Sequence, residues 1–218
     1  MIKNIFHYMT LSLMLCMTLA SCEEHEMAQD FSTKIGHILC TDGKVVTLER
    51  CLDEGKTPIA VVFHLNHEST EEKGYAVYLR DINHVAFADS LGVKQNTSSN
   101  VTAFDGNENT HAIYSTAAMG SPLAKSVFAI WEYGQSAYVP SVAQMQLLYN
   151  VKSVVNPYLE SIGGTPISDD PDRCWYWTST EVKGQEAAKA WLYSLGSGTR
   201  QETPKDESHK VRPIVTIY

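Results

Sequence analysis

The stretch CWYWTSTE, Cys174–Glu181, decides how the chain is read. A cysteine close to three hydroxyls and an acid has the composition of a nucleophile with helpers. The spacing favours a different reading. Side chains alternate faces along a strand, so Trp175 and Trp177 share one face, and Tyr176 and Thr178 the other. Ser179, Thr180 and Glu181 then read as a hydrogen-bonding turn whose hydroxyls satisfy loop backbone groups. Cys174 has no cysteine neighbour or histidine base beside it in sequence. It reads as a small apolar filler or a disulfide partner rather than a nucleophile.

Outward from this strand, the pattern is strands, helices, then strands. Ile35–Cys40 and Val45–Leu48 flank Asp42-Gly43 as a hairpin. Ile59–Phe63 and Tyr75–Leu79 read as strands around a polar loop, His64–Gly74. Residues 88–120 read mostly as loop, with Gln95–Asn100 too polar to bury a core. Ser121-Pro122 starts one helix, with Leu123, Val127, Ile130 and Trp131 on its apolar face. Ser141 and Gln144 form the capping box of a second. Trp175–Ser179, Ala190–Leu195 and Val211–Tyr218 close the sheet. An α+β domain over 35–218, with antiparallel strands and two main helices, is expected.

The N-terminus sets the context. Lys3, an apolar run from Tyr8 to Ala20 and Leu19-Ala20-Ser21-Cys22 make residues 1–21 a signal peptide, too short for a stable membrane span. Small residues before a cysteine resemble a lipobox, which makes Cys22 the acylated first residue of a lipoprotein. The acidic run Cys22–Glu26 opens a tether over 22–34 and resembles the export signal of surface-exposed outer-membrane lipoproteins. The expected location is the outer membrane, lipid-anchored, at the cell surface, with the membrane as the first partner.

The chain carries 17 basic and 25 acidic residues, a formal charge of −8, and removal of the signal makes it −9. No basic stripe emerges, which argues against nucleic acid; acidic polymers are disfavoured on the same ground, a local basic patch aside. Cys40, Cys51 and Cys174 remain after Cys16 leaves with the signal and Cys22 takes lipid. Cys40 and Cys51 flank a turn, and a bridge between them would stabilise by about 3 kcal/mol. Cys174 is the alternative partner for either.

A set of motifs in order carries a resemblance. Asp105–Thr110 is followed by Trp131-Glu132-Tyr133, Ala137–Ser141, Gln144–Tyr149, Ile162-Gly163-Gly164, Tyr176–Glu181, Ala190-Trp191 and Lys210–Ile214. This succession resembles the Lcl C-terminal domain family, whose fold is similar to the C-type lectin-like and sulfatase-modifying-factor folds. The resemblance runs from about Ile35 to Tyr218 and implies a single C-type lectin-like domain. It makes Trp177, Ser179, Trp191 and Arg212 structural signature residues. Ala137-Tyr138 stands where the family has Trp, and Gln144 or Gln146 where it has Glu, so that helix face is uncharged here. The calcium-binding loops of sugar-binding C-type lectins are absent.

Other constellations weigh less. Asp105, Asn107 and Asn109 alternate as calcium ligands do, but the places that need Gly and Glu hold Thr110 and Thr116. A turn with Asx side chains bonded to their own backbone is the main reading, and calcium the candidate cofactor. His64–Glu68 lacks the zinc order H-E-x-x-H. Asp169–Asp172 reads as a solvent-facing turn. Asp89-Ser90-Leu91 resembles a bacterial O-glycosylation site, with Ser90 as acceptor. No Ser-His-Asp order, phosphate loop or paired carboxylate is visible, so no enzyme is expected. The leading expectation is a lectin-like domain for adhesion to a glycan or matrix protein, with Tyr138 and Trp191 as candidate contacts. A structural subunit of a surface fibre or envelope complex is second, and a degenerate sulfatase-modifying-factor-like enzyme third.

Overall fold

The computed structural model describes residues 32–69, 71–116, 120–132 and 135–218. The signal segment, Cys22 and residues 22–31 of the tether lie outside the described residues. Thr33–Tyr218 forms one compact unit.

Two five-stranded sheets share a long helix. The first orders its strands β12 (Ile214–Ile217), β4 (Gly74–Tyr78), β3 (Pro58–Leu65), β1 (Ile38–Cys40) and β2 (Val45–Val46), antiparallel throughout. The second orders β10 (Arg200–Pro204), β9 (Lys189–Ser194), β8 (Trp175–Glu181), β11 (Ser208–Val211) and β5 (Ile82–Ala86). Here β11 runs parallel to β8, with Lys210 opposite Tyr176, so the second sheet is mixed rather than purely antiparallel. A short hairpin, β6 (Trp131–Glu132) and β7 (Gln135–Ser136), precedes the long helix.

The fold is α+β, with four helices among the described residues where the apolar pattern gave two. They are α1 (Leu48–Asp53), α2 (Gly106–Ser115), α3 (Pro122–Phe128) and α4 (Val142–Ser161). α1 replaces the end of the expected second hairpin strand, because the Thr47 side chain accepts from Arg50 N and caps a helix. α2 lies inside the expected loop; its apolar contribution to the core is essentially Ile113, too sparse a stripe to signal a helix. The Ser121 and Ser141 caps form as expected, the latter with its full capping box.

The core divides along the sheets. One cluster packs α4 (Val142, Met145, Leu148, Val155, Leu159) between Val61, Phe63 and Val77 of the first sheet and Tyr176 and Tyr193 of the second. A second lies on the other face of the second sheet, where Trp177 meets Phe87, Ile113, Leu123 and Val127, with Trp175 packed against it. The alternation read from Trp175–Thr178 therefore holds, since Tyr176 and Trp177 serve opposite faces. A third cluster covers the outer face of the first sheet around Ala60, Val62 and Val215.

Candidate functional site

Ser179, Thr180 and Glu181 of β8 do not form the expected turn. They are strand, and they are buried. The register with β9 slips between Trp177, opposite Leu192, and Glu181, opposite Ala190, so β8 carries extra residues there. A bulge leaves ladder groups unpaired, and other elements answer them. Ser179 N donates to Pro140 O (2.9 Å), and Val142 N donates to the Thr180 hydroxyl (3.3 Å), which ties the start of α4 to the strand. Thr178 Oγ1 donates to Trp191 O (2.8 Å), and Glu181 N donates to Thr97 Oγ1 (3.0 Å).

Glu181 then anchors the long segment between β5 and α2. Its Oε1 accepts from Gln95 N (2.8 Å), and its Oε2 accepts from Thr97 N (3.2 Å) and Thr97 Oγ1 (3.1 Å). The charge is met by Lys205, whose Nζ lies 2.8 Å from Oε1. Lys205 Nζ also reaches Val93 O (2.8 Å), Glu186 O (2.8 Å) and Gln95 Oε1 (3.1 Å), and lies 5.5 Å from the Phe87 ring centroid. The pair thus has hydrogen-bond partners of its own, the condition under which a buried ion pair is tolerated. Main-chain bonds from Ala88 N to Lys205 O and from Gly92 N to Ala187 O fix the same segment from outside.

Above this anchor lies a cleft of about 680 Å³. Lys94 and residues 96–101 form one wall, and Glu181, Lys183 and Glu186 the other. Asn96 and Ser99 adopt positive φ (61° and 54°), which turns the wall sharply. Glu186 is held down to about 2, first by the N–H of Gly184 (2.9 Å), then by its own N–H and by Lys94 at 3.3 Å. The cleft therefore carries a permanent acid beside Lys94, with Lys183 unpaired among the described residues. Its surface offers hydroxyl and amide donors and acceptors for a polar ligand.

The candidate calcium residues build this wall. Asp105 accepts from Asn109 Nδ2 (2.8 Å) and from the Ser98 hydroxyl, and Asn109 Oδ1 accepts from Ser98 N (3.0 Å). Asp105 and Asn109 are thus brought together, with oxygens committed to the loop. Asn107 is exposed, two helical steps (about 200°) around α2 from Asn109. Among the described residues no group of three His, Cys, Asp or Glu is placed to hold a metal ion.

The remaining sequence candidates fall as follows. Tyr138 is 2% exposed and bonded to the Thr216 hydroxyl (2.9 Å), and burial pushes its phenol far up; it is core, not a ligand contact. Trp191 is half-buried against the first cluster with Arg200 at 5.1 Å from its ring, and its Nε1 is buried without a partner. Arg212 is fully buried, donating to Asp81 Oδ1 (2.8 Å) and Thr165 O (2.7 Å). Trp177 donates to Val85 O (3.0 Å), while Ser179 Oγ is buried without a partner. Cys40 and Cys51 are buried free thiols with their sulfurs 3.9 Å apart. Cys174 is buried against the Ser194 hydroxyl (3.2 Å) and Pro171 O (3.6 Å). Ser90 is exposed in the bend after β5.

Lys205 was not singled out by sequence. Flanked by Pro204 and Asp206, it looks like any solvated turn lysine, and only the fold reveals it as the partner of Glu181. Compared with known proteins, the chain matches no family model and no curated protein in sequence.

Proposed function

We propose that the chain is an outer-membrane-anchored lipoprotein, exposed at the cell surface, whose C-type lectin-like domain captures a glycan or matrix protein for adhesion. The observation that carries this reading is the loop cleft. A long irregular segment, rich in hydroxyl and amide side chains, is held open on a rigid sheet by a buried ion pair, and preorganised loops on a scaffold are where binding commonly resides. The two sheets with a long helix between them support the lectin-like assignment, and the lipobox around Cys22 supports the anchor.

An array of glycans and matrix proteins, probed with the full chain in non-ionic detergent with and without calcium, tests the proposal. Retention on a defined glycan or matrix protein supports it. A blank array, with co-purification of one envelope protein, replaces it with the accessory-subunit reading. That second reading draws on the exposed Tyr114, whose ring meets Phe128 edge-on at 4.9 Å on the α2–α3 surface, and on the exposed Trp131.

A further inference from the structure

We propose that a cationic hollow beside the β4–β5 turn binds a small organic anion through one terminal phosphate or carboxylate. The hollow measures about 310 Å³ and is bounded by Arg80, Asp81, Asn83, Ser168, Arg173 and Lys210 among others. It shares no lining residue with the loop cleft, and it does not depend on the adhesion reading.

Three cations face one acid, and the acid is already committed. Asp81 Oδ1 accepts from the buried Arg212 (2.8 Å), and Oδ2 accepts from the Tyr176 hydroxyl (3.3 Å). Lys210 is fixed in place: Nζ donates to Arg173 O (2.9 Å), lies 5.6 Å from the Tyr176 ring centroid, and stands 3.7 Å from Asp81. Arg80 and Arg173 are exposed, and neither has an ion-pair partner among the described residues. Two guanidinium forks and one ammonium converging on a hollow suit an oxyanion, because the planar fork matches two oxygens at once. Ser168 accepts from Asp170 N (3.1 Å), which leaves its own proton to donate. Asn83 adds an exposed amide.

Size and surroundings narrow the ligand. At roughly 30 Å³ per water, the hollow holds about ten waters' worth of ligand, an oxyanion and a short body. A second hollow of about 360 Å³ shares Arg173 and Lys210 and is lined by Trp175, His84, His209 and Asp172. Trp175 supplies an apolar wall for an uncharged body, while Asp172 opposes a second negative charge. Asp169 and Asp170 precede it, so an extended polyanion leaving the first hollow meets acids. The chain's formal charge of −8 opposes such a polymer as well, whereas screening within about 8 Å leaves the local cations in command of a small ligand.

Isothermal titration of the full chain in non-ionic detergent, with phenyl phosphate, benzoate, inorganic phosphate and benzyl alcohol, tests this. Phenyl phosphate or benzoate is expected to bind at least tenfold more tightly than benzyl alcohol, and the tighter of the two identifies the head group. The Arg80→Gln/Arg173→Gln double variant is expected to lose at least tenfold, and Lys183→Gln in the loop cleft to lose nothing. Thermal melting confirms that the variants remain folded, and weakening of wild-type binding by salt gives a readout free of substitution. Equal binding of benzyl alcohol, no loss in the double variant, or an equal loss in Lys183→Gln overturns the site. Inorganic phosphate binding as tightly as phenyl phosphate overturns the organic ligand.

Discussion

Lys205 Nζ stands 2.8 Å from Glu181 Oε1, and neither side chain is more than 1% exposed. The pair joins the end of β8 to the β10–β11 turn and holds residues 93–97 between them. Removing one charge strands the other. Lys205→Met or Glu181→Gln is expected to cost about 3–5 kcal/mol in urea unfolding, and the double variant to recover much of that loss. Exchange of the Gln95 and Thr97 amides, measured by hydrogen–deuterium exchange, is expected to rise in Glu181→Ala, where their acceptor is gone.

Gly106 opens α2 against the cap of α4. A Cβ there would collide with Gln144 Oε1 and lie 2.7 Å from Val139 O and 2.9 Å from Ser141 N. Gly106→Ala is therefore expected to destabilise by about 1–3 kcal/mol through overpacking against the backbone. Ser141→Ala removes both the cap and the bond to Ala103 O (2.7 Å), and is expected to cost about 1–2 kcal/mol. Urea midpoints of the two variants check both values.

The sequence pattern announced β1–β4, β8, β9, β12 and the starts of α3 and α4, but not β5, β6, β7, β10, α1 or α2. The alternation of Trp175, Tyr176 and Trp177 forecast which face each would serve, and the S-x-x-Q pattern located the start of α4. What stayed hidden has physical causes. Lys205 is recognisable only by burial, a non-local property. α2 buries too narrow an apolar stripe to be seen by periodicity. Ser179–Glu181 looked like a turn because hydroxyls and an acid resemble loop composition. In the bulge the same groups answer the backbone of α4 and of the cleft wall while remaining in the strand. The cleft itself joins residues 94–101 to residues 181–186, two segments that no local motif connects.

Trp177 is fully buried, edge-on to Phe87 at 5.5 Å and to His209 at 5.3 Å. Trp177→Ala is expected to cost about 3–5 kcal/mol, because it empties the second cluster and frees Val85 O. The shift in urea midpoint measures it.

Cys40 and Cys51 are the thiols that oxidation would join. Burial, then the Cys51 thiol beside it, pushes Cys40 up to about 12, so its reactive thiolate is scarce near neutral pH. Iodoacetamide is expected to spare Cys40 in the native chain and to modify it in urea. A disulfide oxidant is expected to yield a peptide joined through Cys40 and Cys51, with Cys174 left as a thiol, as read by mass spectrometry.

Alkaline pH acts through the same burial. Cys40 rises from 9.0 to about 12 and Tyr193 from 10.0 to about 12, and burial also raises Tyr138 and Tyr176. Between their ordinary and folded values the unfolded chain has lost protons that the folded chain keeps. The unfolded state then binds fewer protons, so stability is whole below about pH 9 and falls as pH climbs toward about 12. Urea midpoints that stay level from about pH 7 to 9 and drop beyond are the expected result.

In the proposed function, ligand is captured in the cleft seated on Glu181 and Lys205. Lys183→Trp fills that cleft from its exposed rim without altering the buried pair. Side-by-side array binding of the wild-type chain and this variant, both verified as folded, tests the claim most directly. The expected result is a defined glycan or matrix-protein signal for the wild type that falls at least tenfold in Lys183→Trp. An undiminished signal in the variant would contradict it.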